Sequence, residues 1–182
     1  DGVTNQKAAN TQNNNTPTSD FEFNKTPISF DEYNSLDELN SQDQILCIEA
    51  KKAMSNSHSP YSGFRVGVAV QLESGRIVYG SNQENVAYPS GLCAERVALF
   101  LIGTTYPDDK ILSMAITAQT DHFLIKEPVT SCGACLQVMA EYEKKQSHPI
   151  NVLFYCLNGA IIRTTGIKTL LPFAFEEMRL QK

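Results

Sequence analysis

The sequence predicts an α/β fold, a three-layer α/β/α sandwich around a mixed sheet of five strands. Two observations support this prediction. Apolar residues recur at helical spacing in three segments, and five short segments with the pattern of β-strands are interspersed with these helical segments along the chain. Helices that lie between strands in this way cover both faces of the sheet that the strands form.

Three helices are predicted from apolar periodicity and from the residues at their starts. The first is predicted over 42–56, directly after the capping candidate Ser41. The second is predicted over 93–103, where one face is mostly apolar, and the third over 132–146.

Five strands complete the predicted sheet, and turn residues separate two pairs of them. Glu73-Ser-Gly75 predicts a tight turn after the first strand, and Asn158-Gly159 is a strong hairpin signal between the last two. The predicted strands are 64–72, 76–79, 111–118, 150–157 and 160–165.

Composition divides the 182 residues into three parts. Residues 1–20 are rich in Asn, Thr, Gln and Ser, and they predict a disordered tail because they bury too little apolar surface to offset the entropy of ordering. Residues 21–40 carry scattered aromatic side chains and predict an extended arm that lies against the domain. Residues 41–180 then form one domain with a sizeable core.

Charge and cysteine content narrow the class of partner. The net charge is −5 and the 15 Lys and Arg residues are scattered, which argues against nucleic acid and favours a small neutral substrate. No apolar stretch approaches the roughly 18 residues of a membrane span, so no membrane partner is expected. An odd count of five widely spaced cysteines favours a reducing compartment, and we expect a cytoplasmic protein.

The most specific pattern is Cys93-Ala-Glu95-Arg96 followed by Cys132-Gly-Ala-Cys135. Cys132 and Cys135 lie on one face of a helix, and the 42 positions from Cys93 to Cys135 leave room for a strand and loops to bring Cys93 beside them. Three thiolates without an obvious fourth ligand predict a catalytic Zn²⁺ site, because structural zinc sites close with four protein ligands. Glu95 can then move the protons of a zinc-activated water, and Arg96 can offset the charge of the sulfurs.

Other interpretations of these residues are open at this point. Cys132 and Cys135 alone would suit a redox pair, although such a pair needs no third thiol with a carboxylate two residues further on. Arg96 would also suit an ordinary helix surface. A closed structural zinc site would need a histidine as its fourth ligand, and the candidates are His58, His122 and His148.

The zinc pattern and three further segments resemble the zinc-dependent cytidine deaminase family, over about residues 41–178. The segments are Ser-Pro-Tyr-Ser-Gly-Phe-Arg-Val-Gly at 59–67, Gly-Ser-Asn-Gln-Glu-Asn-Val-Ala-Tyr at 80–88 and Leu-Leu-Pro-Phe-Ala-Phe at 170–175. Two positions depart from the family pattern. Ser131 stands where the family usually has Pro, and Leu136 stands where it often has Arg.

The resemblance implies hydrolytic deamination of cytidine and deoxycytidine to uridine and deoxyuridine plus ammonia, a step of pyrimidine salvage. Cys93, Cys132 and Cys135 would hold zinc, and Glu95 would be the proton shuttle beside a zinc-bound hydroxide. The residues that the resemblance implies in nucleoside binding are Phe64, Asn82, Glu84, Tyr88, Ala94 through its backbone, and Phe175, which in this family stacks over a pyrimidine in a neighbouring subunit.

The resemblance also implies a homotetramer, the assembly expected of compact family members with three cysteine ligands.

Three other functions share parts of the pattern. Deaminases of aminoacyl-nucleoside antibiotics share the Cys-x-Glu and Cys-x-x-Cys pattern. Polynucleotide or tRNA deaminases would need a basic groove, and a zinc-stabilised binding module would not need Glu95.

Overall fold

A mixed six-stranded sheet between helices forms the body of the protein, as seen in a computed structural model that describes residues 28–180. The strand order is β1-β6-β5-β4-β2-β3, and β4 and β5 are the parallel pair of this sheet. The strands are β1 Asp31–Tyr33, β2 Phe64–Leu72, β3 Ile77–Ser81, β4 Ile111–Thr120, β5 Asn151–Tyr155 and β6 Ile161–Thr165. The helices are α1 Ser41–Ala53, α2 Ala94–Thr105 and α3 Gly133–Gln146. The predicted α/β/α sandwich is confirmed.

The prediction of five strands is wrong by one, because β1 adds a sixth strand at the edge of the sheet. β1 lies in the predicted arm and pairs antiparallel with β6, with Tyr33 opposite Ile161. Its three residues are too few to show an alternating pattern in the sequence, and their pairing depends on a strand about 130 positions away. The predicted tail, 1–20, and the arm residues 21–27 lie outside the described residues.

The first helix differs from its prediction at both ends. Asn40, rather than Ser41, is the N-cap of α1, and its side chain accepts a hydrogen bond from the backbone N–H of Asp43 at 2.9 Å. At its other end α1 gives way to a 3-10 turn over Met54–Asn56, so the α-helical geometry ends three residues early.

One face of the sheet packs against α1 through small side chains. Ala69, Ala115 and Leu153 form a row across β2, β4 and β5, and all three are fully buried. Gly67 lies on the same face, where an added Cβ would come within 2.2 Å of the Ala50 carbonyl oxygen. The helix therefore lies unusually close to β2, and the contact has no room for a larger side chain.

The opposite face packs against α2 and α3 and carries the larger part of the core. Met114 and Phe154 project from the sheet, and Leu99 of α2 and Met139 of α3 pack against them with no exposed surface. Both α2 and α3 begin at the same edge of the sheet, formed by the strand ends where β2 starts and where β3 and β4 end.

Among the helices that the structure describes, none has both the length and the apolar character needed to span a bilayer.

Gly80 in β3 sets how closely α2 can approach the sheet. An added Cβ at this position would lie 2.2 Å from the carbonyl oxygen of Ala94, the first residue of α2, and 2.9 Å from the Ala98 side chain. These neighbours are backbone and a short side chain, so they cannot yield without a shift of the helix. Gly80 therefore fixes the position of the residues at the start of α2.

We predict that Gly80→Ala lowers the free energy of unfolding by about 1–3 kcal/mol, because overpacking here forces the start of α2 away from the sheet. Gly133→Ala is the control, since an added Cβ at Gly133 meets nothing within 4 Å. That variant should keep the wild-type stability to within about 1 kcal/mol. Urea unfolding of both variants makes the comparison, and equal stability of Gly80→Ala and wild type would contradict the packing argument.

Candidate metal centre and substrate cleft

Two of the three candidate ligands occupy equivalent places at the starts of helices. Cys93 is the N-cap residue of α2 and Cys132 is the N-cap residue of α3, both in extended backbone geometry. The first N–H groups of a helix have no carbonyl partner within it, and the helix dipole places positive potential at this end. At Cys93 this potential favours thiolate over thiol.

The three cysteine sulfurs lie together at this edge of the sheet. The Cys93 and Cys132 sulfurs are 3.9 Å apart, those of Cys132 and Cys135 are 3.5 Å apart, and all three lie within 4.8 Å of one another. Tetrahedral sulfur ligands at the usual zinc distance of about 2.3 Å lie about 3.8 Å from each other. The spacing of the sulfurs and the thiolate chemistry both fit Zn²⁺.

The histidines take no part in this cluster. Within residues 28–180, the group of side chains that can hold a metal consists of Cys93, Cys132 and Cys135 alone. A three-sulfur site is typical of catalytic zinc, which keeps one position for water or substrate. The closed structural site with a histidine ligand is therefore not formed by the part of the chain described.

Arg96 lies one helical turn from Cys93 and donates from Nη2 to the Cys93 sulfur at 3.8 Å. The pKa of Cys93 is lowered to about 5, first by a hydrogen bond from Cys135 and, against the effect of burial, by the hydrogen bond from Arg96. The pKa of Cys135 is raised, because this thiol is the donor to Cys93 and is buried. Arg96 thus brings a positive charge against the sulfur of Cys93.

Glu95 is buried beside the cysteines. It is the second residue of α2, and only 4% of it is exposed. Its Oε1 accepts a hydrogen bond from the Ser131 hydroxyl at 2.7 Å. A carboxylate in this place reaches the metal centre and the cleft together, which is the position that a proton shuttle requires.

A cleft of about 600 Å³ opens over Glu95 and the cysteines. Its size is in the range of pockets that enclose small ligands. It lies at the edge of the sheet where both α2 and α3 begin. The sequence-predicted residues that line it are Phe64, Asn82, Glu84, Tyr88, Cys93, Glu95, Arg96 and Cys132.

Asn82 holds the start of β2 through its side-chain amide. Its Oδ1 accepts from the Val66 backbone N–H at 2.8 Å and from the Ser57 hydroxyl at 2.5 Å, and its Nδ2 donates to the Phe64 carbonyl at 2.8 Å. Both acceptor positions of the amide oxygen are therefore engaged, and one Nδ2 hydrogen is left for a ligand. Asn82 can offer a bound molecule a donor.

Glu84 closes the turn that leads into β2. Its Oε2 accepts from the backbone N–H groups of Tyr61 and Ser62 at 2.9 and 3.2 Å, and its Oε1 accepts from the Ser62 hydroxyl. These bonds, led by the one from the Ser62 side chain, lower the pKa of Glu84, so the group is a carboxylate. Ser57 and Ser62 were not predicted from the sequence as partners of Asn82 and Glu84, although Ser62 lies inside a segment that resembles the family.

Aromatic side chains form one rim of the cleft. The Tyr61 and Tyr88 rings meet edge to face with centroids 5.9 Å apart, and the Phe64 and Phe123 rings lie 6.5 Å apart. Tyr88 is 75% exposed, whereas Phe64 is half-buried. This rim offers flat apolar surfaces to a planar ligand.

Two predicted substrate residues lie outside this lining. Ala94 is fully buried under Gly80, so any contact with a ligand must come from its backbone. Phe175 is 71% exposed, and its backbone N–H and carbonyl pair with the Gln137 side chain, each at 2.9 Å. Its ring is thus presented on the outside of the chain.

This combination of an α/β/α fold with three sulfurs and a buried glutamate in one cleft is typical of zinc-dependent hydrolases. Comparison with known proteins narrows the class. The model of the cytidine and deoxycytidylate deaminase zinc-binding region matches residues 9–129, a range that includes Cys93 and Glu95. The chain belongs to the cytidine and deoxycytidylate deaminase family, and it is a zinc protein.

Relatives with known names cover most of this chain. It is 39% identical to a cytidine deaminase of Halalkalibacterium halodurans over 134 residues, which are 72% of this chain and 92% of the relative. It is also 39% identical to a cytidine deaminase of Sporosarcina psychrophila over 132 residues, 72% of this chain and 90% of the relative. The crystal structure of cytidine deaminase from Burkholderia pseudomallei superposes with a TM-score of 0.62 at 31% identity, covering 75% of this chain and all of that one.

We predict that Cys132→Ala abolishes stoichiometric zinc binding, because two sulfurs cannot replace a three-sulfur site. Cys156→Ala is the control, since Cys156 is a buried free thiol in the core outside the cluster. It should keep about one zinc per chain. Metal analysis of the purified variants by mass spectrometry decides, and full zinc content in Cys132→Ala would contradict the assignment of this cluster.

Proposed function

We propose that this protein catalyses the hydrolytic deamination of cytidine and deoxycytidine to uridine and deoxyuridine, with release of ammonia. The observation that carries the proposal is the buried Glu95 carboxylate beside the three-sulfur cluster in one cleft. The relatives named cytidine deaminase support this choice of substrate. The net charge of −5 supports a nucleoside over a polynucleotide substrate.

In this proposal Cys93, Cys132 and Cys135 hold zinc, which when bound supplies a water acidic enough to attack the base at neutral pH. Glu95 takes a proton from the attacking water and gives it to ring N3 of the base. Glu95 then takes the remaining proton of the added hydroxyl and gives it to the departing amine, which leaves as ammonia, so a single carboxylate serves as base and acid in turn. Arg96 reduces the negative charge that three thiolates place on the centre.

We place the sugar at Asn82 and Glu84. The remaining Nδ2 hydrogen of Asn82 can donate to a ribose 3′-hydroxyl, and the Glu84 carboxylate can accept from the same hydroxyl. Their own hydrogen bonds to the turn and to β2 hold both groups in place before the nucleoside arrives. Binding then costs little ordering entropy at this end of the cleft.

We place the base between the aromatic rim and the start of α2. Phe64 packs on the nucleoside and Tyr88 covers the outer side of the cleft, where both already line the surface. The backbone of Ala94 reads the polar edge of the base from the first turn of the helix. Hydrolysis then occurs at the inner end, next to Glu95.

Glu95→Gln should lower kcat by about 10²–10⁴ while zinc content stays at one per chain, because glutamine fits the same space but cannot carry the proton. The control is Glu73→Gln, an exposed carboxylate in the turn after β2, with activity expected within about twofold of wild type. The measurement is loss of the cytosine ultraviolet band with cytidine and deoxycytidine, with an aminoacyl-nucleoside antibiotic in parallel. Undiminished turnover by Glu95→Gln would contradict the mechanism, and turnover of the antibiotic alone would contradict the substrate.

We further propose that residues 41–180 form the catalytic domain and that the protein is a cytoplasmic homotetramer. Exposed apolar side chains support an assembly: Phe100 and Leu101 on α2 are 44% and 47% exposed, and Phe175 is 71% exposed. A neighbouring chain would cover these residues, and Phe175 would stack over the pyrimidine bound in that chain. All five cysteines are free thiols, which supports a reducing compartment.

The tetramer predicts a particle of four times the mass of one chain in solution. Sedimentation equilibrium at micromolar concentration measures this mass directly.

Phe175→Ala should raise KM by about tenfold or more in the assembled protein, because a stacked ring is lost from the neighbouring site. A monomer with full activity would contradict the assembly and the role of Phe175 together.

A further inference from the structure

The hydrogen bond between Ser131 and Glu95 joins the starts of the two helices that carry the cysteines. Ser131 immediately precedes Cys132, the N-cap residue of α3, and Glu95 lies in the first turn of α2. The Ser131 Oγ donates to Glu95 Oε1 at 2.7 Å. Among residues 28–180, Ser131 is the one hydrogen-bond partner of the Glu95 side chain.

The geometry of this bond selects one orientation of the carboxylate. The donor–acceptor distance of 2.7 Å is that of a well-formed O–H···O hydrogen bond. Glu95 is almost fully buried and Ser131 is half-buried, so water competes little for the contact. With Oε1 held by Ser131, Oε2 is the oxygen left to exchange protons with water and base.

We propose that Ser131 is the positioning residue for Glu95, holding one carboxylate oxygen so that the other faces the reacting atoms. The inference rests on the proposed function, because it concerns the orientation of the Glu95 carboxylate, the proton shuttle of that reaction. Ser131 acts through Glu95 and does not itself touch the substrate. Alanine at this position would lack the hydroxyl, and Glu95 Oε1 would lose the donor that holds it.

The bond joins two oxygen atoms and includes none of the three sulfurs. It links α2 to α3 through side-chain oxygen atoms, next to the cysteines that link the same two helices through a metal. Loss of the Ser131 hydroxyl should therefore change the orientation of the Glu95 carboxylate without removing a metal ligand. A small misplacement of a catalytic group lowers the rate of the chemical step far more than it changes substrate affinity.

The test compares Ser131→Ala, Ser131→Thr and the control Ser113→Ala in the zinc-loaded protein. Ser113 is also half-buried and also makes a side-chain hydrogen bond, to Asn151, but it lies on β4 away from the cleft. We expect Ser131→Ala to lower kcat about tenfold or more, with KM within about twofold and zinc at one per chain. Ser131→Thr keeps the hydroxyl and should restore kcat to within about threefold of wild type, and Ser113→Ala should leave kcat unchanged.

A second measurement reads the position of Glu95 without activity. In a crystal structure of Ser131→Ala we expect the Glu95 carboxylate to leave its place or to occupy two orientations. Unchanged kcat in Ser131→Ala would overturn the proposal, as would zinc loss in proportion to kcat, or a failure of Thr to restore kcat when zinc is intact. A zinc-loaded wild type that does not deaminate cytidine would instead refute the proposed function.

Discussion

The meeting of two helix starts at one edge of the sheet is the constraint on which the site depends. Cys93 and Cys132 are N-cap residues of α2 and α3, and their sulfurs lie 3.9 Å apart. The backbone N–H groups of both helices point to the same place, so positive potential collects where three thiolates would otherwise repel each other. The fold thereby contributes to metal binding through its backbone N–H groups, in addition to the three sulfur ligands.

Packing of the helices on the sheet keeps those starts in register. Gly80 allows the Ala94 carbonyl to approach β3, and the same backbone segment carries Glu95 and Arg96. The metal centre is held in place because its first residues are part of the helix-to-sheet contact. The part of the cleft that we propose for the sugar is held by side-chain hydrogen bonds of Asn82 and Glu84. Core packing thus holds the metal end of the cleft, and side-chain hydrogen bonds hold the end at Asn82 and Glu84.

Prediction from sequence succeeded where local spacing determines structure. The separation of Cys132 from Cys135 and the periodicity of α2 and α3 are local signals, and the structure has these helices within two residues of the predicted bounds. β1 was missed because its pairing with β6 is long-range. The bond from Ser131 to Glu95 was missed for the same reason, since 36 positions separate the two residues and no short motif links them.

Burial differs sharply among the three sulfur-bearing residues, and this affects how an ion enters and leaves. Cys135 is enclosed in the core, Cys93 is intermediate, and Cys132 stands at the surface of the single chain. Exchange of the metal with a chelator or a delivery protein would then begin at Cys132, on the solvent side, and the enclosed Cys135 would be the last ligand to be released. The differences in burial thus set the order in which the three sulfurs are accessible to a competing ligand, from the outside inward.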